Sequence, residues 1–162
     1  VRLVISNAGP LIHLYEANAL RLLRLTGEVS IPPYVASETA SYLRGHVPEW
    51  ISIVPLSERY AAESLAWQQA NLLDAGEADA LALARQLHAA WFLTDDERAR
   101  LLGKQLGLEV HGSLGVVLWT AAVRLIERQV AEETLERLAR TSLWISAAVF
   151  NEAKMALDEL YR

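Results

Sequence analysis

Apolar residues fall into two patterns along this chain. Five short runs are mostly apolar: Leu3 to Ile5, Val29 to Ile31, Ile51 to Val54, Trp91 to Thr94 and Leu108 to Val110. Runs of this length, rich in β-branched and aromatic residues, read as strands. Between them apolar positions return every three to four residues, the period of a helix with one buried face. That pattern predicts helices over 11–15, 17–25, 34–43, from Ser57 to about 71, from 74–77 to about 88, and over 97–106, 113–128, 132–140 and 146–161. Turn chemistry marks their limits. Pro10 suits the first position of a helix, Gly27 a helix stop and Pro32-Pro33 a helix start, while Ser57 and Ser146 suit N-caps.

Strands that alternate with helices predict an α/β fold. The expected form is a three-layer α/β/α domain in which helices cover both faces of a five-stranded parallel sheet. No linker, internal repeat or low-complexity stretch divides the 162 residues. A single domain is expected, with residues 129–162 as a helical extension packed on it. Ligands of such sheets sit beyond the carboxyl ends of the strands.

Composition narrows the chemistry. Apolar residues make up 52% of the chain, enough for a full core. The absence of cysteine excludes disulfides, thiolate metal sites and thiol nucleophiles, and fits a reducing cytoplasm. The longest nearly apolar run, Leu114 to Val123, is about half a membrane span. Val1 to Ile5 reads as a strand and not as a signal peptide. A cytoplasmic protein without a membrane partner is expected. Net charge is −5, from 20 acidic and 15 basic residues. A protein that binds nucleic acid through bulk charge would be basic. A polyanion would have to be gripped locally, by a few Arg or Lys or by a metal.

Polar residues gather at the expected ligand edge. Asp95 and Asp96 end the Trp91 strand, and Asn7 follows the first strand by two residues. Glu38 borders the buried stripe of the 34–43 helix, formed by Val35, Ala36, Thr39, Ala40, Tyr42 and Leu43. Each has a local role open to it: Asp95 as an N-cap, Asn7 in a turn, Glu38 in solvent. Asp74 and Glu77 have capping-box spacing. Asp79 points about 200° away from Glu77 on a helix, so one cleft is not expected to use both equally. Together, an amide and at least three carboxylates at one edge repel one another unless a cation neutralises them. All-oxygen ligands without Cys or paired His select Mg²⁺ or Mn²⁺ over Zn²⁺. One use of such a site is to orient a water for in-line attack on a phosphodiester. The four His, at 13, 46, 88 and 111, lack metal-ligand spacing, and His111 is the one expected near the cleft.

These motifs, in their order, resemble a PIN domain. They are Asn7 and Pro10-Leu11-Ile12 after the first strand, Ile31-Pro32 then Glu38, Gly76-Glu77-Ala78-Asp79-Ala80 opening a helix, Thr94-Asp95-Asp96, and Gly112-Ser113-Leu114-Gly115. The resemblance spans roughly residues 3 to 128 and is closest to prokaryotic PIN proteins of the VapC toxin type. It implies a PIN-like sheet and a Mg²⁺- or Mn²⁺-dependent endoribonuclease that cleaves single-stranded RNA with a metal-activated water. It also implies the toxin half of a toxin–antitoxin pair, with an antitoxin protein and a second copy of the chain as partners. The implied metal ligands are Asn7, Glu38, Glu77 or Asp79, and Asp95 with Asp96 nearby, with Glu38, Glu77 and Asp95 as the catalytic acids. Ser113 is the small hydroxyl residue near the site. The pattern departs at Asn7, where active members carry Asp.

Arg98, Arg100 and Lys104 follow the acid pair and could meet RNA phosphates, or form a solvated face that balances the acids. The last helix has an apolar side of Val149, Phe150, Ala153, Leu157 and Leu160, which either completes the core or docks a partner. Two other functions remain open: a PIN fold that no longer cuts and serves as a binding module, and a small phosphatase-type hydrolase built on the Asp95 edge.

Overall fold

The computed structural model describes residues 1–162. In chain order its elements are β1 (Leu3–Ser6), α1 (Ala8–Glu16), α2 (Arg21–Thr26), β2 (Glu28–Ile31), α3 (Pro33–Ala40), β3 (Ile51–Ile53), α4 (Glu58–Gln69), α5 (Ala75–Gln86), β4 (Trp91–Leu93), α6 (Glu97–Gln105), β5 (Glu109–His111), α7 (Ser113–Ala122), α8 (Arg128–Leu138) and α9 (Ala147–Leu160). The five strands form one all-parallel sheet in the order β3-β2-β1-β4-β5. This is the three-layer α/β/α arrangement that the alternation of patterns predicts. Helices α4, α5 and α6 pack together on one side, with α5 on β1 and β4. Helices α1, α2 and α7 pack on the other, and α7 carries α8 and α9.

Burial explains the order. Val4, Ile5, Phe92 and Leu93, on the two central strands, are fully buried. A strand covered on both faces needs apolar side chains in both directions. The edge strands carry exposed residues: Ser52 and Ile53 on β3, Glu109 on β5. Ala131, Leu135, Leu138, Ala153 and Leu157 of α8 and α9 join the same buried cluster as the strands. No helix is long and apolar enough to cross a membrane.

Several boundaries differ from the pattern. Helix α1 starts at Ala8 with Asn7 as N-cap, so Pro10 lies third and not first. The first-turn N–H groups of a helix have no partner within it, so proline is tolerated there. Helix α3 ends at Ala40, and Tyr42, expected in its buried stripe, is exposed. Helix α7 ends at Ala122 because Arg124 takes a left-handed conformation (φ 61°), and α8 begins at Arg128. The Arg124 guanidinium lies 4.5 Å from the Tyr161 ring centre and donates to the Leu160 carbonyl, which fastens this turn to the end of α9.

Candidate functional site

The strand order places a crevice. From β1 the chain moves outward through β2 and β3, then returns to the other side of β1 with β4 and β5. The reversal falls between β1 and β4, and in parallel sheets such a switch point opens a cleft at the carboxyl ends. Asn7 and Asp95 follow those two strands. The Asn7 amide N–H donates to the Leu93 carbonyl at 3.1 Å, holding the strand ends together.

A pocket of about 290 Å³ lies here, and its walls include Asn7, His13, Glu38, Asp74, Glu77, Asp95 and Asp96. Four helices begin around it, capped by Asn7 (α1), Asp74 (α5), Asp96 (α6) and Gly112 (α7). Their N-termini carry partial positive charge, which favours carboxylates here. Three glycines let the walls approach. A Cβ on Gly9 would stand 3.6 Å from Asn7 Oδ1 and 3.7 Å from Asp95 Oδ2. One on Gly76 would overlap the Glu38 carboxylate, and one on Gly112 would overlap Arg100 Nη2 and stand 2.7 Å from Asp95 Oδ1.

Asp95 is the most fixed of the acids. Its Oδ2 accepts from Ser113 Oγ at 2.5 Å and lies 2.7 Å from His13 Nδ1, and its Oδ1 accepts from the Ser113 backbone N–H at 2.7 Å. Burial alone would raise its pKa, but the hydrogen bonds from His13 and Ser113 outweigh this and hold it below the usual carboxylate range. Ser113, expected near substrate, is fully buried and positions Asp95 instead. Asp95 lies between Ser113 and His13, with both bound to its carboxylate. No histidine contacts the hydroxyl, so this is not a nucleophilic serine arrangement.

Asn7 is 4% exposed. Its Nδ2 donates to the Thr94 hydroxyl at 2.7 Å, which also accepts from the Asp96 N–H at 3.1 Å. Its Oδ1 is the one buried side-chain polar atom without a hydrogen-bond partner. An orphaned acceptor in a pocket lined by acids is stabilised by a cation or by the water around one.

Glu38 and Glu77 are held less tightly. Burial raises the pKa of Glu38, with Asp74 and Asp79 adding repulsion. Burial likewise raises that of Glu77, the Asp74 backbone N–H and Arg98 lower it, and Asp96 and Asp74 add to the rise. Glu77 accepts from the Asp74 N–H at 3.2 Å, the capping-box contact, yet still lines the pocket. Asp96 caps α6 through the Ala99 N–H at 2.8 Å.

The structure thus brings Asn7, Glu38, Glu77, Asp95 and Asp96 around one pocket and leaves out Asp79. The Asp79 carboxylate accepts from Ser64 Oγ at 2.5 Å, on the α4 side of its helix. Arg98 and Arg100 part company. Arg98 turns toward Asn71 and Glu77, whereas Arg100 donates to the Thr94 carbonyl at 3.3 Å on the other side of Asp95. The side chains form no ready-made cage of three metal-ligating His, Asp or Glu groups. Asp95 is committed to His13 and Ser113, Glu77 to its capping contact, and Glu38 lies against Gly76. The donor set of carboxylate and amide oxygens still suits Mg²⁺ or Mn²⁺.

His13 and Thr94, given no role from the sequence, orient the ligands here. His13 lies four residues after Gly9, hence on the same face of α1, and that spacing was the available signal. His111, expected near the cleft, does not line the acid pocket; it packs on the Trp91 ring with centroids 4.2 Å apart and faces Glu109, on the far side of Asp95.

No curated protein matches the chain. A family model described as a PIN domain matches residues 3–159, through α8 and α9. The switch-point pocket between β1 and β4 is accordingly that of a PIN fold, and the chain belongs to the PIN-domain family.

Proposed function

We propose that this PIN-domain protein is a Mg²⁺- or Mn²⁺-dependent endoribonuclease, the toxin of a toxin–antitoxin pair. The observation that carries the reading is the buried Asn7 Oδ1, unpartnered in a pocket lined by Glu38, Glu77, Asp95 and Asp96. Asn7, Glu38, Glu77 and Asp95 would hold the ion, with Asp96 beside them. When bound, such an ion neutralises charge on a phosphodiester and makes water a better nucleophile. His13 and Ser113 keep Asp95 ionised and aimed. Thr94 fixes the Asn7 amide so that its oxygen faces the pocket. Burial and the neighbouring acids raise the pKa of Glu38 and of Glu77, as expected of carboxylates that a bound cation would neutralise.

A second reading is a PIN fold that binds without cutting. The uncharged Asn7 and the absence of a preformed cage favour it. One pair of measurements separates the two. A nuclease should show Mn²⁺ binding heat by calorimetry and cleave single-stranded RNA in Mn²⁺ but not in EDTA, with Glu38→Gln inactive. Absence of Mn²⁺ heat and of cleavage would leave the binding module. Turnover of a small phosphomonoester would favour a phosphatase-type hydrolase instead.

A further inference from the structure

A second depression opens on the other side of Asp95. It is a groove of about 730 Å³ between α6 and the segment entering α9, with β5 and the start of α7 as its floor. Asp95 and Gly112 stand at its inner end, so it continues the acid pocket. Its volume is on the scale that holds ligand-sized molecules, about 300–1,000 Å³.

The groove's lining is mixed in a specific way. Arg100 and Lys104 stand on the α6 wall, and neither takes part in any ion pair of the molecule. Glu97 is the only acid beside them apart from Asp95. Across the groove Trp144 is 84% exposed, the most exposed aromatic side chain of the protein. Apolar Leu101 and Val149, 55% and 44% exposed, lie near it. Unpaired cations next to a bare indole suit a single polynucleotide strand: cations for phosphates, an aromatic face for an unpaired base. In a chain of net charge −5, such a local grip is what a polyanion requires.

We propose that this groove seats the single-stranded RNA that flanks the cleaved phosphodiester. Arg100 and Lys104 contact its backbone, and Trp144 stacks on an unpaired base. The inference rests on the ribonuclease reading of the acid pocket and makes Trp144 a selector for unpaired substrate. A duplex has no free base face to offer it.

The test is fluorescence anisotropy in EDTA with a short fluorescein-labelled RNA of mixed sequence, single-stranded or annealed to its complement. The intact protein should bind the single strand more tightly than the duplex. Trp144→Ala should weaken single-strand binding about tenfold, or about 1.4 kcal/mol, and Trp144→Phe should restore most of it. Lys104→Ala should weaken binding a few-fold and flatten its salt dependence by roughly 0.7 of a unit slope. Equal affinity of Trp144→Ala and the parent, or no RNA binding at all, overturns the proposal. So does a Trp144→Ala protein that changes its sedimentation but not its RNA affinity, since the groove would then be a protein interface. The cleavage assay keeps the two readings apart. Trp144-dependent binding without Mn²⁺-dependent cleavage removes the nuclease and leaves the groove. Cleavage that persists in Trp144→Ala at unchanged affinity does the reverse.

Discussion

At the scale of single residues, the site holds acids whose charges act on the fold in opposite directions. Glu38 titrates above its ordinary value, so its protonated form stabilises the fold and that contribution is lost as pH rises through the folded value. Glu38→Gln mimics the protonated form. It should raise the melting temperature of the metal-free protein at pH 7 and have no effect well below pH 4.5, the unperturbed value. Glu38 is exposed, so solvent screens much of the repulsion. The gain should stay within about 1 kcal/mol, or roughly 2–4 °C. Asp95 titrates low, so its ionised form stabilises the fold, and that stability is lost as pH falls through the folded value, below 3.8. Asp95→Asn should therefore destabilise the protein near neutral pH, by about 1.5–3 kcal/mol for hydrogen bonds to a charged group. Asn7→Asp tests the metal directly. It adds like charge to the cluster, and the Thr94 hydroxyl, now a donor, can still serve it. Melting temperature should fall in EDTA and rise in Mn²⁺, with Mn²⁺ affinity up at least about tenfold, or about 1.4 kcal/mol. Unchanged melting in both conditions would place Asn7 outside any metal site.

At the scale of elements, the glycines give the cleanest perturbation. The three atoms nearest a methyl group at Gly76 all belong to the Glu38 carboxylate, the free end of a flexible side chain. Gly76→Ala should fold normally, swing Glu38 aside and lower Mn²⁺ affinity. Circular dichroism melting alongside calorimetry would check both halves. A methyl at Gly27 would strike the Arg2 carbonyl at a φ of 152°, so Gly27→Ala should destabilise without acting through the site. The elements themselves were legible where periodicity carried them. The strands at Leu3, Val29, Ile51, Trp91 and Leu108 lie within a residue or so of where their apolar runs place them. Helix stops were less so. Asn18, Arg44, Asn71, His88 and Arg124 adopt positive φ without being glycine. Asn does so readily, but Arg and His give no local warning. The apolar pattern of residues 113–128 therefore runs past Ala122, where α7 ends. In the site, strand ends and motif order indicated which acids gather. They did not reveal that Asp79 serves Ser64, or that His13 and Thr94 orient the ligands, because those contacts depend on packing between distant segments.

At the scale of the whole molecule, a homodimer remains the expected assembly. Tyr34 on α3 and Tyr42 just after it, and Leu65 on α4 and Leu72 just after it, are exposed and lie outside the groove beside Asp95. Sedimentation at micromolar concentration should show twice the 18.0 kDa chain mass, and a lone 18.0 kDa species would contradict the dimer.

The central place of β1 also bears on how the protein is born. Its second neighbour, β4, lies far along the chain, and the Asn7–Thr94 hydrogen bond spans 87 residues. On the ribosome, at about 5–20 residues per second, roughly 4–17 s separate the synthesis of these two residues. Through that interval one edge of β1 has no strand to pair with, and the crevice has only one wall. On the ribonuclease reading, the protein would be harmless to its own message until Asp95 and Ser113 have emerged. Two halves divided in the loop between β3 and α4 should each be inert, and should regain the Mn²⁺ response only when expressed together.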